Sequence, residues 1–337
     1  MVLVEYALLI APSANRVYTR SAVDLTRAEL AAFSAGALAG RLGPATEREH
    51  GGRPYLVFAT EEPLGPADLA LLGNLSSGYA LFEVVGDLLR PLTTPALDRF
   101  DDDLITIQKY AGKTNENFTK LLLNVTALAS AWAADFGTRT FTVLDPVAGR
   151  GTTLNQALMY GWNALGVELD GKDVEAYAAF LKTWLRTKRV KHRAEITPVR
   201  REGRRLGRRF DVEFTATGQH LTLFEADTTA ARALMKRQSA DLLVADLPYG
   251  VVHGSRTGKG LARGPVDLLA DALPGWVELV RPGGAVGLSW NTHVAPREQA
   301  VELLAAHGLT PMEPGSEPGF AHRVDQAILR DVVLARR

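Results

Sequence analysis

Asp246-Leu247-Pro248-Tyr249, followed by Gly250, ends the apolar run 240–245. A short buried strand therefore delivers a carboxylate, a proline-stiffened turn and an aromatic ring to its carboxyl end. In open α/β sheets that end is where ligands bind. The residue types suit one chemistry. An amine conjugated to an aromatic base is a poor nucleophile, because its lone pair is delocalised into the ring. The Asp246 carboxylate and the backbone carbonyl of Leu247 can each accept one N–H, favouring a more tetrahedral nitrogen. Tyr249 can stack on a base swung out of its helix. The same residues also make a plain strand-ending turn, so the company they keep decides.

That company begins 101 residues earlier, where the strand-like Phe141-Thr142-Val143-Leu144 runs into Asp145-Pro146-Val147-Ala148-Gly149-Arg150-Gly151-Thr152-Thr153 and then a helix at 154–159. Glycines at 149 and 151 let the backbone turn tightly against a ligand at the helix start. Nineteen positions after Gly149, Glu168 closes the next strand, 163–167. An acidic residue at that distance can accept both ribose hydroxyls of a bound nucleoside. A dinucleotide loop would carry a third glycine where this chain has Leu154, and Asp145 would oppose a pyrophosphate. An acidic residue there suits a cationic amino group, as in S-adenosyl-L-methionine. Asp227, ending the strand 221–225, is placed to accept an adenine amine, or equally to cap the turn that follows.

Upstream, Tyr110-Ala111-Gly112-Lys113-Thr114-Asn115 contains Gly-Lys-Thr, but a phosphate-binding P-loop needs glycine where Ile107 stands. Thr114 and Asn117 instead mark the start of a helix over 115–132. Tyr110–Asn115 is also similar to the segment ahead of the glycine loop in amino-methyltransferases, a resemblance that implies Tyr110, Lys113 and Thr114 over the cofactor beside Asp145, Val147, Ala148, Gly149, Gly151 and Thr152.

These motifs need a frame. Strands are expected near 141–145, 163–168, 221–225, 240–245, 283–290 and 327–335, alternating with helices. That pattern predicts an α/β fold with a mainly parallel sheet and an antiparallel last strand. Residues 1–98 predict a separate small α/β domain, with strands near 6–10, 55–59 and 79–85, a helix opened by Thr26 and another after Pro66. The acidic stretch before residue 104 marks the boundary, and 104–337 forms the second domain.

The 337 residues carry 38 basic and 38 acidic side chains, yet residues 182–209 hold twelve Lys/Arg against Glu195 and Glu202. A basic insertion of this kind, with Arg200, Arg201, Arg204 and Arg205 at its centre, suggests an anionic polymer as partner. The glycine-rich stretch 251–264 adds Arg256 and Lys259 as candidate phosphate contacts. No apolar run reaches the length of a membrane span, and Met1–Tyr6 lacks the basic start of a secretory leader. A cytoplasmic protein is the expectation. There is no cysteine, which excludes disulfides, thiolate metal sites and a covalent thiolate nucleophile; no metal site is expected.

Asp145–Thr153, Glu168, Asp227 and Asp246–Gly250, with Tyr110–Asn115 ahead of them, resemble the tRNA guanine-N2 methyltransferase family. The resemblance covers residues 104–337, with Leu247 in place of the first proline of the commonest signature. It implies a Rossmann-like S-adenosylmethionine-dependent enzyme that methylates guanine N2, with catalytic Asp246, Leu247, Pro248 and Tyr249. It also implies an N-terminal RNA-binding THUMP region, whose pattern residues 1–98 do not display. DNA adenine or cytosine amino-methyltransferases share the motifs, but no target-recognition domain is evident, so RNA, and tRNA first, is the expected partner. The alternative of another class is a catalytically silent RNA-binding protein on the same fold.

Overall fold

Strand β1 (Val4–Ile10), buried at its centre over Tyr6, Ala7 and Leu8, sets the first sheet. Tyr6 and Leu8 face one side, and their register partners Phe58 and Leu56 continue that apolar face. The computed structural model describes residues 3–11, 16–110, 112–201, 204–248, 264–313 and 319–337. Around β1 stand β2 (Thr46–His50), β3 (Arg53–Thr60), β4 (Gly78–Val85) and β5 (Leu88–Leu92), in the antiparallel order β2-β3-β1-β4-β5. Helices α1 (Arg16–Gly36) and α2 (Pro66–Leu72) accompany this sheet. Thr26, expected to open a helix, lies inside α1. Its buried hydroxyl donates back to the Ala22 carbonyl at 2.6 Å, a local bond that the helix interior tolerates.

The second sheet follows α3 (Asp103–Thr106) and α4 (Glu116–Ala129). In chain order it is built from β6 (Thr142–Asp145), α5 (Thr152–Met159), β7 (Asn163–Glu168), α6 (Gly171–Thr187), β8 (His192–Arg201), β9 (Arg204–Phe214) and β10 (His220–Glu225). The chain continues through α7 (Ala231–Leu234), β11 (Ala240–Asp246), α8 (Pro265–Leu279), β12 (Val280–Asn291), α9 (Arg297–Ala306), β13 (Thr310–Met312), β14 (His322–Arg323) and β15 (Leu329–Arg336). The strand order is β13-β15-β12-β11-β6-β7-β10-β9-β8, with β14 beside β15. Strands β10, β7, β6, β11 and β12 run parallel, and β15 runs antiparallel between β12 and β13. This is the expected mainly parallel sheet with its reversed last strand.

The basic segment, expected as an insertion, takes the form of an edge hairpin. Its residues 192–201 and 204–209 are strands of the sheet itself, an antiparallel hairpin added outside β10. The reason is apolar alternation on the inner face: Phe210, Val212 and Phe214 are buried, with Phe210 edge-on to Tyr177 of α6.

Around residues 98–104 the buried core passes from one sheet to the other without a break, from Tyr6 and Phe33 through Leu121 and Leu128 of α4 to Val143. A polar cluster lies inside it. The 0%-exposed Glu29 of α1 accepts from Ser76 N at 2.9 Å, Ser76 Oγ at 2.6 Å and Asn124 Nδ2 at 2.7 Å. Asn124 also donates to the Asn74 carbonyl at 2.8 Å and accepts from the Tyr160 hydroxyl at 2.8 Å. Burial pushes the Glu29 carboxyl above the usual range, and the three donors limit that rise.

Candidate active site

From β6 the chain runs one way through β7 and β10 and later the other way through β11 and β12. The crevice between the carboxyl ends of β6 and β11 is therefore the switch point where such sheets bind ligands. Asp145 ends β6 and Asp246 ends β11. The loop after Asp145 turns on Gly149 (φ 51°) and Gly151 (φ 78°), left-handed conformations that favour glycine. At Gly151 a Cβ would also lie 2.5 Å from the Tyr177 ring.

Asp145 is 3% exposed. Burial pushes its carboxyl up to about 7, reinforced by the charges of Asp246 and Glu168 and opposed by hydrogen bonds from Val147 N and the Thr153 hydroxyl. Among the described residues no cation stands against it. Half-buried Glu168 accepts Gly149 N and Asp170 N, each at 2.7 Å; desolvation nonetheless raises its pKa. Asp227 caps the short turn Thr228–Ala230, accepting Thr229 N at 2.9 Å and Thr229 Oγ1 at 2.7 Å.

The upstream segment closes over the loop. The Tyr110 hydroxyl and Thr152 Oγ1 share a hydrogen bond at 3.1 Å. The Arg150 guanidinium lies 4.9 Å from the Tyr110 ring centre, and its Nε donates to Asp173 at 2.8 Å. Thr114 donates its hydroxyl to the Asp246 carboxylate. Lys113, expected beside the cofactor, points elsewhere: its ammonium is taken by the Ile105 carbonyl at 2.7 Å and by Glu116.

These elements enclose a cavity of about 210 Å³. The structure brings ten of the expected residues to its wall: Tyr110, Thr114, Asp145, Val147, Ala148, Gly149, Thr152, Asp246, Leu247 and Pro248. Gly112, Thr119 and Thr153 complete it. Gly151, Glu168 and Asp227 stand outside the lining, with Glu168 joined to it through Gly149. Thr119 and Thr153 were missed because a lone threonine on a helix carries no signal until the fold gives it a neighbour. His322 is a further omission. Its ring lies 5.2 Å from that of Phe118, its Nδ1 bonds the Phe320 carbonyl at 2.9 Å, and burial pushes it down to about 4 against the opposing charge of Asp246. It is therefore neutral at physiological pH. Trp290 and Asn291 hold strand ends: Trp290 Nε1 donates to the Ala295 carbonyl at 2.8 Å, and Asn291 Oδ1 accepts Leu329 N at 3.2 Å. Tyr249, Arg256 and Lys259 lie outside the described residues.

The hairpin places its tip deliberately with respect to this edge. Arg208 pairs with Glu225, which pairs with Glu168, so the three share one level of the sheet. The backbone of Arg204 lies four residues farther on, roughly 13 Å beyond at strand rise. Arg200 and Arg205 are register partners there, as are Arg201 and Arg204. Arg200 is exposed; the side chains of Arg201, Arg204 and Arg205 lie outside what is described. Lower on the hairpin the charge is partly neutralised. Arg208 meets Glu225 and Glu175 and Arg209 meets Asp211; outside the hairpin, just past α6, Lys188 meets Asp101 and Asp103.

Among the described residues no group of His, Cys, Asp and Glu is arranged to hold a metal ion, and no helix is long and apolar enough to cross a membrane. No family model and no curated protein matches the chain. Among solved structures it is similar to precorrin-6y C5,15-methyltransferase from Geobacter metallireducens, at 15% identity over 72% of this chain and 99% of that chain, TM-score 0.38. It is also similar to a T. thermophilus 16S rRNA N2-guanine methyltransferase in complex with AdoMet and guanosine, at 17% identity over 88% of this chain and 59% of that chain, TM-score 0.37. Human methyltransferase-like protein 13 in complex with SAH matches at 11% identity over 65% of this chain and 81% of that chain, TM-score 0.39.

Proposed function

We propose that the chain is an S-adenosylmethionine-dependent methyltransferase that methylates an exocyclic amine of a base in RNA, with guanine N2 of tRNA as the target. One observation carries the reading: a single cavity has the buried, cation-free carboxylate of Asp145 on one wall and Asp246-Leu247-Pro248 on another. The residues fit the cofactor. A carboxylate raised to about 7 by burial and by two neighbouring acids favours a cationic ligand such as the amino group of an amino acid. Glu168, already fixed by two backbone donors, has lone pairs left for ribose hydroxyls, and Asp227 stands at the end of the next strand, on the adenine side. When bound, S-adenosylmethionine supplies an electrophilic methyl group.

The chain's own task is to present the acceptor amine. Asp246 and the Leu247 carbonyl accept its two N–H bonds, and Tyr249 stacks on the base. The arginines of the hairpin tip, standing past the same sheet edge, hold phosphate groups of the RNA, as do Arg256 and Lys259. The test is methyl transfer from labelled cofactor to total RNA, followed by mass spectrometry of the nucleosides. N2-methylguanosine appearing in tRNA is the expected result; label in DNA alone, or in no nucleic acid, would overturn the reading.

A further inference from the structure

We infer that Thr114 is a positioning residue for Asp246 and not a contact for the cofactor, an inference that rests on the function proposed above. The hydroxyl of Thr114 donates to Asp246 across 132 residues of sequence. Both partners are fixed from behind. On one side of Thr114, Lys113 is tied to the Ile105 carbonyl and to Glu116. On the other, Asn115 Oδ1 caps α4 by accepting Asn117 N at 3.0 Å and Phe118 N at 3.2 Å. The backbone of Thr114 is therefore held at both ends, and its β-branched side chain is stiff at χ1. Asp246 is the last residue of β11 and pairs in register with Ser289 of β12.

A carboxylate at a strand end keeps χ freedom that the strand does not remove. The Thr114 hydroxyl restricts it, helping to aim the carboxylate at an N–H before the base arrives. The hydroxyl donates, so it selects the acceptor form of the carboxylate, the form the amine also requires. Because it acts through Asp246, Thr114 governs presentation of the amine and leaves cofactor affinity alone.

Three variants separate the roles. Thr114→Val keeps the shape and removes the donor; Thr114→Ser restores the donor; Asp246→Ala tests the site beneath. Methyl transfer to RNA at saturating cofactor gives kcat, and calorimetry with S-adenosylhomocysteine gives affinity without turnover. A hydrogen bond to a charged group of this kind predicts a fall in kcat of about ten- to hundredfold for Thr114→Val. S-adenosylhomocysteine affinity should stay at the wild-type value, and Thr114→Ser should recover most of the rate. Wild-type kcat in Thr114→Val beside an inactive Asp246→Ala overturns the positioning role alone. Weakened S-adenosylhomocysteine binding in Thr114→Val, with kcat intact, returns Thr114 to the cofactor and also overturns it. Wild-type rates in Asp246→Ala overturn the proposed function and this inference together. Should Thr114→Val fail to fold, Thr114→Ala measured against Thr114→Ser answers the same question.

Discussion

Gly149 donates its backbone N–H to Glu168 Oε2 at 2.7 Å. The glycine loop after one strand is thereby fastened to the carboxylate that ends the next, so the two halves of the proposed nucleoside site form one unit. Loop shape and ribose recognition should fail together when that carboxylate is removed.

Glu168→Ala should weaken cofactor binding by about 1.5–3 kcal/mol, tenfold or more, through loss of charged hydrogen bonds. Glu168→Gln should lose less, since the amide oxygen can still accept Gly149 N. Calorimetric titration with S-adenosylmethionine checks both; unchanged affinity in the alanine variant would remove Glu168 from the site.

Burial pushes the Asp145 carboxyl from its ordinary value of 3.8 up to about 7 in the folded protein. The folded state then binds the extra proton between those values, and its stability falls as pH rises through that window. Binding a cationic ligand reverses the preference and expels the proton. At pH 6, calorimetry in buffers of differing ionisation enthalpy should therefore register proton release on cofactor binding, with affinity rising toward pH 7. Asp145→Asn should abolish the release and flatten the decline in stability. A heat that is independent of buffer would contradict the assignment.

Changing Arg200, Arg201, Arg204 and Arg205 to Ser should weaken RNA binding and flatten its salt dependence, because fewer counterions are released. Cofactor affinity should not change. Binding curves at several salt concentrations decide it, and a wild-type slope would reduce the tip to a solvated turn.

Asp246→Ala should lower turnover by about 10²–10⁴-fold, while cofactor and RNA affinities move far less, since the loss falls on the transition state. Asp246→Asn keeps an acceptor oxygen and should retain measurable rates. Single-turnover assays on total RNA separate the two; an asparagine variant as inactive as alanine would mean the negative charge itself is required.

The parts of this site written as short motifs were legible in the sequence. Asp145, Gly149, Glu168 and Asp246 each end or follow a strand, and strand ends are announced by an apolar run meeting glycine or proline. The direction of Lys113 was not legible, because its partners Ile105 and Glu116 become neighbours only when α3 and α4 are in place. His322 was hidden for a similar reason: β14 is two residues long and acquires meaning beside β15. The hairpin β8–β9 was obscured by its arginines, whose outer face masked the alternation of Phe210, Val212 and Phe214. In the N-terminal part the central strands could be read, but β2, with charge at Glu47, Arg48 and Glu49, gave no apolar pattern to find.

The buried Glu29–Asn124–Tyr160 cluster has a bearing on how this molecule can be dissected. A fragment beginning at residue 104 would retain every motif of the catalytic half. It would also strip α4 of α1, leaving the Asn124 amide without Glu29 and Asn74, and Leu121 and Leu128 without the apolar side chains that cover them. Apolar surface bared to water costs about 25 cal/mol per Å², and folded chains stand only about 5–15 kcal/mol below unfolded ones. Since Thr114 and Thr119 approach the cavity from that same helix region, the shorter piece would lose the shape of its site along with its support. Expression of residues 104–337 alone should therefore yield a protein that melts early and binds cofactor poorly, in which case boundaries drawn by motif and by cooperativity would not coincide.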